Sequence, residues 1–210
     1  MNLRPVLYAA LDMVFPLVYC EICEHPLERK AAHSLCLACY SSLPLIKDPR
    51  CQKCGKPLEK DLDEYCSDCI GRQHLFDAGL SVYEYTSSVR DLIYRYKYIG
   101  QTSLARPLAS FMADLLQEAD WRINLLVPVP LHTRKLKYRG FNQSALLADF
   151  IGHRHGIPID GKALIRRVDT DKQASLTRAE REKNLKGAFE VAKPSTILDK
   201  NILLIDDVYT

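Results

Sequence analysis

Eight cysteines, all within the first 69 residues, constrain this chain more than any other feature. They form four C-x-x-C pairs: Cys20/Cys23, Cys36/Cys39, Cys51/Cys54 and Cys66/Cys69. Twelve residues separate Cys23 from Cys36 and eleven separate Cys54 from Cys66, so "CEICEHP…LCLAC" and "CQKCGKP…YCSDC" are two copies of one unit. Two thiolates spaced in this way grip one ion from a tight turn, and four close a tetrahedral site with no open position. Disulfides require an oxidising compartment, for which the sequence offers no export signal. A redox C-x-x-C is expected once, at a helix start. Iron–sulfur binding fits the ligand type better than it fits the regular paired spacing. The expected cofactor is therefore structural Zn2+, on two all-cysteine sites. Spacing leaves open whether the knuckles pair in order or interleave. His25 and His33 are expected on the surface, because four thiolates already complete each site.

A length of 210 residues allows one main core beside this small module. With 47% hydrophobic and 26% charged residues, the chain reads as globular rather than disordered. The net charge of +3 conceals an asymmetry: residues 131–187 carry 13 Lys/Arg against 6 Asp/Glu. That stretch suits a polyanion, phosphate groups or nucleic acid. Residues 1–75 carry 9 Lys/Arg against 10 Asp/Glu, which favours a structural or docking role for the cysteine module. The apolar run Val6–Val18 is interrupted by Asp12 and Pro16 and is too short for a bilayer. An amphipathic helix over residues 1–19 is expected, with no membrane insertion and a cytoplasmic location.

After a junction at residues 71–74, "DAGLSVYEY" (Asp77–Tyr85) alternates like a strand. A helix capped by Ser87 or Ser88 follows, with Val89, Leu92, Ile93 and Tyr96 at helical spacing and Arg90, Tyr94, Arg95 and Lys97 on a solvated face, ended by Gly100. A second helix is expected over 103–118. "INLLVPVP" (Ile123–Pro130) reads as a central parallel strand ended by its prolines. Arg134, Lys135, Lys137 and Arg139 fall in a loop beyond its carboxyl end, where open α/β sheets bind ligands. Asn142 caps a helix over 143–152 that turns Ala145 and Ala148 inward. A strand, a polar loop and a charged helical piece cover 162–189, with Arg166, Arg167, Lys172, Arg178 and Arg181 as a candidate cationic flap. Ile202–Ile205 is a second buried parallel strand, ending in Asp206 and Asp207. Strands alternating with helices predict an α/β fold with a parallel sheet.

Adjacent carboxylates repel, so they need a metal, a helix end or hydroxyl donors. "ILLIDDVYT" resembles the first half of the phosphoribosyl pyrophosphate (PRPP) signature of type I phosphoribosyltransferases. The resemblance implies that Asp206 and Asp207 hold the ribose 2′- and 3′-hydroxyls, and that Val208, Tyr209 and Thr210 open the turn that cradles the 5′-phosphate. With the four knuckles, "VPVPLH…RGFNQSALLA" and "DTDKQASLTRAEREKNLKGAF", nearly the whole chain is similar to the ComF family of ComFC/GntX-like proteins. That similarity implies a double zinc ribbon over 20–70 and a type I phosphoribosyltransferase-like domain over 76–210. It implies a cytosolic bacterial protein linked to uptake of transforming DNA, with Mg2+ accompanying PRPP, Arg139 as a pyrophosphate contact, and Arg178 and Arg181 closing from the flap. A different expectation is a non-catalytic adaptor that binds single-stranded DNA or competence helicase-type proteins. Family members continue past this threonine with Thr-Gly and a small-residue turn, so a chain truncated at Thr210 is expected to bind PRPP poorly and to be inactive. The acceptor base is not legible in the sequence.

Overall fold

The computed structural model describes residues 18–27, 31–59, 63–72, 74–169 and 185–209. Its cysteine module is built on a turn made twice. The Cys20 amide donates to the His25 carbonyl at 2.8 Å and the Cys51 amide to that of Lys56 at 2.7 Å. The amides of Glu24 and Gly55 return to the carbonyls of Cys20 and Cys51, both at 2.8 Å. Glu24 and Gly55 are left-handed, at φ 60° and 73°. In the first unit, antiparallel strands β1 (Val18–Tyr19) and β2 (Pro26–Leu27) flank the turn. Val18 and Tyr19 thus belong to this hairpin and not to the helix expected over 1–19, whose other residues lie outside those described. The second cysteine pair opens α1 (Leu37–Ser42), where the Cys36 sulfur accepts from the Cys39 amide at 3.4 Å.

The segment 77–85, expected as a strand, makes one antiparallel bridge, Leu45 to Tyr83. Its hydrogen-bonding groups are shared between two neighbours, which is why no regular ladder forms. Ser81 Oγ donates to the Cys54 carbonyl at 3.1 Å, while Ile46 and Glu84 amides pair across to Val82 and Pro44. Helix α2 (Ser87–Tyr94) begins after Thr86, one residue earlier than expected, and widens into a π turn over Arg95–Ile99 that Gly100 closes at φ 80°. A 3-10 turn (Thr102–Leu104) leads into α3 (Ala105–Ala119).

Helix α3 has two apolar faces. Leu108, Ala109, Ala113 and Leu116 join the main core, while Phe111 packs with Cys20 and Leu35 of the first ribbon. His33 stacks on Phe111 with ring centroids 4.0 Å apart, its Nδ1 lies 2.6 Å from Ser110 Oγ, and its Nε2 lies 3.5 Å from Asp114. This histidine is therefore an interface residue and not the surface group expected. A positive φ of 55° turns it off the ribbon toward α3.

Strand β3 (Leu125–Pro128) runs parallel to β6 (Ile202–Ile205), in register from Leu125–Ile202 to Pro128–Ile205. Residues 158–160 lie along the other edge of β3, with amide bonds at Leu126 and Asp160 and a parallel bridge from Leu126 to Ile159. All four β3 residues are buried, Leu126 facing the main core and Leu125 and Val127 the opposite cluster. That is how a central parallel strand is covered. Strand β6 is less enclosed than expected: Ile205 is buried, but Leu204 is 57% exposed. Pro128 stays in the ladder, and the segment beyond Pro130 is a helix, α4 (Thr133–Arg139), capped by His132 and closed by Gly140. Helix α5 (Gln143–His155) follows its Asn142 cap and buries Ser144, Leu147, Ala148 and Ile151. Antiparallel strands β4 (Leu164–Arg166) and β5 (Phe189–Val191) and a short helix α6 (Pro194–Ile197) complete the described elements. Among the described residues, no helix is long and apolar enough to cross a membrane.

Candidate functional site

The cysteines settle the pairing that spacing leaves open. Cys20, Cys23, Cys36 and Cys39 converge, as do Cys51, Cys54, Cys66 and Cys69, with ligand atoms in each set within 4.8 Å of one another. The knuckles pair in order. A tetrahedral ion with Zn–S bonds of about 2.3 Å requires sulfurs about 3.8 Å apart. Cys23–Cys36 and Cys54–Cys66 each stand at 3.6 Å. Burial pushes the Cys20 thiol up, but the amides of Cys23, Cys36 and Ile22 pull it down further, to about 6. Cys51 repeats this, with burial opposed by the amides of Cys66, Cys54 and Lys53, and also settles at about 6. Thiolates stabilised by inward amides and paired with further thiols suit structural zinc.

The second site stands where β3 and β6 end. Asp206 and Asp207 leave β6 side by side, and the Asp207 amide donates back to Asp206 Oδ1 at 2.9 Å. Ser144, in the first turn of α5, donates its hydroxyl to the same oxygen at 3.1 Å. Asn142 fixes that turn, accepting from the Ser144 amide at 3.0 Å and donating to the Val129 carbonyl, just past β3, at 3.1 Å. One short chain of contacts thus ties the end of β3 and the start of α5 to the first aspartate. Lys97, from the π turn, pairs with Asp207. Burial raises Asp206, while Lys97, the Ser144 hydroxyl and Arg166 pull it back.

Further cations gather near this edge. Arg139 donates to Gln143 Oε1 at 2.5 Å and lies 5.1 Å over the Tyr98 ring. Arg166, over the Phe189 ring, is in electrostatic range of Asp169 and Asp206. Lys135 stands 3.7 Å and Arg134 3.4 Å from Asp169. Burial lowers Lys135, and Arg166 and Arg139 lower it further against the pull of Asp169. The carboxyl edge of β3 and β6 therefore offers adjacent carboxylate acceptors within a concentration of positive charge.

The expected residues are placed unevenly. Asp206, Asp207 and Val208 leave β6 together, with Arg139 reaching the same region. Tyr209 turns to the second ribbon, its ring edge-on to Phe76 at 6.2 Å and 5.8 Å from Lys56 Nζ. Arg178, Arg181, Lys172 and Thr210 lie outside the described residues. Arg167 leaves the expected flap, since it is committed to Glu190 across β4 and β5 at 2.7 and 3.2 Å. Lys97 and Arg95, expected on a solvated face, both turn inward: Arg95 donates to the Ile22 carbonyl and Gln101. Sequence reasoning missed Lys97 and Ser144 as site residues. The signal for Lys97 was its position four after Ile93, on the apolar stripe. Ser144 had none beyond following a cap.

A double zinc ribbon joined to an α/β domain with an acidic pair at a parallel sheet edge is the class that fold and sites define. Residues 10–70 match the family model of the double zinc ribbon domain. The chain is 29% identical to competence protein ComFC of Bacillus subtilis over 188 residues, 86% of this chain and 74% of that protein. It is 27% identical to competence protein F of Haemophilus influenzae over 186 residues, 86% of this chain and 80% of the relative. It is 28% identical to the DNA utilization protein YhgH of Salmonella typhimurium over 197 residues, 91% of this chain and 84% of the relative. Over most of its length the chain is thus similar to proteins named for competence and DNA utilization.

Proposed function

We propose that this protein binds a phosphorylated ribose of the PRPP kind at the carboxyl edge of β3 and β6, and acts as a phosphoribosyltransferase-type protein in DNA uptake. The observation that carries the reading is the acidic pair, Asp206 and Asp207, held by Ser144 and Lys97, with Arg166 in electrostatic range of Asp206 and Arg139 in range of Lys97. Vicinal hydroxyls need acceptors, and phosphates need cations; the site presents both. The names of the relatives, two competence proteins and a DNA utilization protein, support placing that chemistry in DNA handling.

In this reading Asp206 and Asp207 accept the ribose 2′- and 3′-hydroxyls and fix the sugar. Arg139 faces the pyrophosphate, and Arg178 and Arg181 are further candidate phosphate contacts by residue type. A nitrogen nucleophile attacks C1′ as the bond to pyrophosphate breaks, and the departing charge is met by these cations. Mg2+ bound with PRPP, chiefly through its pyrophosphate and ribose hydroxyls, would supply further charge neutralisation.

A second reading, a non-catalytic adaptor for single-stranded DNA, is favoured by one feature. Tyr94 and Tyr98 are more than half exposed, 5.2 Å apart, with Arg139 stacked on the second, which suits base stacking. PRPP-dependent pyrophosphate release by the full-length protein, assayed with a panel of nucleobases, tests the first reading. Base-dependent release that disappears in Asp206→Asn/Asp207→Asn supports it. No release, with single-stranded DNA binding that weakens steeply with salt, transfers the case to the adaptor.

A further inference from the structure

Lys97 occupies a position where a lysine needs an explanation. Val89, Leu92, Ile93 and Tyr96 form the buried stripe of α2 and its π turn, and Lys97 continues that stripe one turn after Ile93. Its side chain is 17% exposed, and lysine is rarely buried without a partner. Its partner is Asp207, whose own side chain is 4% exposed. No described group makes a hydrogen bond to the buried Asp207 Oδ2, so the ammonium is its charge partner among the described residues. π turns of this kind recur at functional sites, where they redirect a side chain without ending the helix.

Two adjacent carboxylates, one of them with its side chain buried, tend to share one proton, because like charge and desolvation act together. A protonated carboxyl then donates a hydrogen bond where a diol needs an acceptor. Resting on the ribose-phosphate reading above, we propose that Lys97 is the positioning residue of the acidic pair, an internal counter-ion that keeps both aspartates ionised and ready to accept a ribose diol. The groups that share this field are Ser144 from α5, Arg139 from α4, Arg166 from β4 and Lys135 near Asp169. Lys97 alone among these reaches Asp207 directly among the described contacts. Burial lowers Lys97 to about 8, with Asp206 opposing and Arg139 assisting. The counter-ion is therefore lost as pH rises through about 8, and affinity for the diol falls on that alkaline side.

The test combines ligand-free and ligand-bound readouts on the full-length, zinc-loaded protein. Carboxylate 13C titration of Asp206 and Asp207 is compared in wild type, Lys97→Met and Lys97→Arg, followed by calorimetric binding of PRPP with Mg2+ across pH. In Lys97→Met the pair should take its first proton at higher pH and affinity should drop on the order of tenfold. Lys97→Arg should restore affinity and remove the alkaline loss, because a guanidinium keeps its proton there. Unchanged carboxylate titration in Lys97→Met, or an alkaline loss that persists in Lys97→Arg, overturns the inference. A wild type that does not bind PRPP overturns the ribose-phosphate reading instead, and the ligand-free titration still decides the part played by Lys97. Should Lys97→Met not fold, Lys97→Arg against wild type carries the decision through the alkaline limb.

Discussion

The duplicated zinc knuckle contains its own internal control. Gly55 and Glu24 occupy the same place after the second cysteine of each unit, and both backbones are left-handed. A Cβ at Gly55 would stand 2.6 Å from the Ser81 amide nitrogen, 2.9 Å from the Gly79 carbonyl oxygen and 2.9 Å from the Leu80 Cα. All three are backbone atoms, so no rotamer relieves the overlap. For Gly55→Ala, the left-handed backbone costs about 1 kcal/mol and the overpacking about 1–3 kcal/mol. The sum, about 2–4 kcal/mol, weakens zinc at the second site on the order of 30-fold or more. Glu24→Gly relieves strain but loosens the unfolded chain by a similar amount, leaving a net effect within about 0.5 kcal/mol. The assay is zinc retained per protein during graded chelator competition. Gly55→Ala should surrender one of two ions early, and Glu24→Gly should match wild type. If Gly55→Ala keeps both ions at wild-type chelator resistance, the packing of 79–81 on the second knuckle is wrong.

Phe111→Ala removes the ring that joins α3 to the first ribbon and should cost about 3–5 kcal/mol, read as a lower thermal midpoint and faster proteolysis within the ribbon. His33 is held below its ordinary value by burial, with Asp114 opposing and Arg154 assisting. The folded state therefore takes up this proton less readily than the unfolded chain, so the contribution of His33 is full above about pH 6.5 and is lost as pH falls below it. Thermal melts at several pH values should show a shallower acid decline in His33→Phe, and parallel declines would contradict this. Tyr96, 0% exposed, donates to the Gln143 carbonyl at 2.8 Å; Tyr96→Phe should lower stability by about 1 kcal/mol in denaturant titrations.

Much of this architecture was legible because its signals are local. Cysteine spacing gives the ligands, the apolar runs give β3 and β6, and Asn142 marks the start of α5. What the sequence withheld depends on distant partners. The segment 77–85 alternates like a strand, yet its pairing groups are divided between the second ribbon and residues 44–46. His33 looks like a spare polar residue until the fold stacks it on Phe111, 78 positions away in the chain. The run after Pro130 reads as a cationic loop because its charges dominate, although His132 and Gly140 are sound helix boundaries. At the acidic pair, the carboxylates were evident from residue type, whereas Ser144 and Lys97 reach them only across the tertiary structure.

Calorimetric titration of PRPP with Mg2+ into the full-length protein, beside the double variant Asp206→Asn/Asp207→Asn, puts the account most directly at risk. Saturable heat in the first and none in the second, with zinc content and thermal midpoint equal in both, is the predicted result. Superimposable isotherms would show that the sugar is held elsewhere, or not at all.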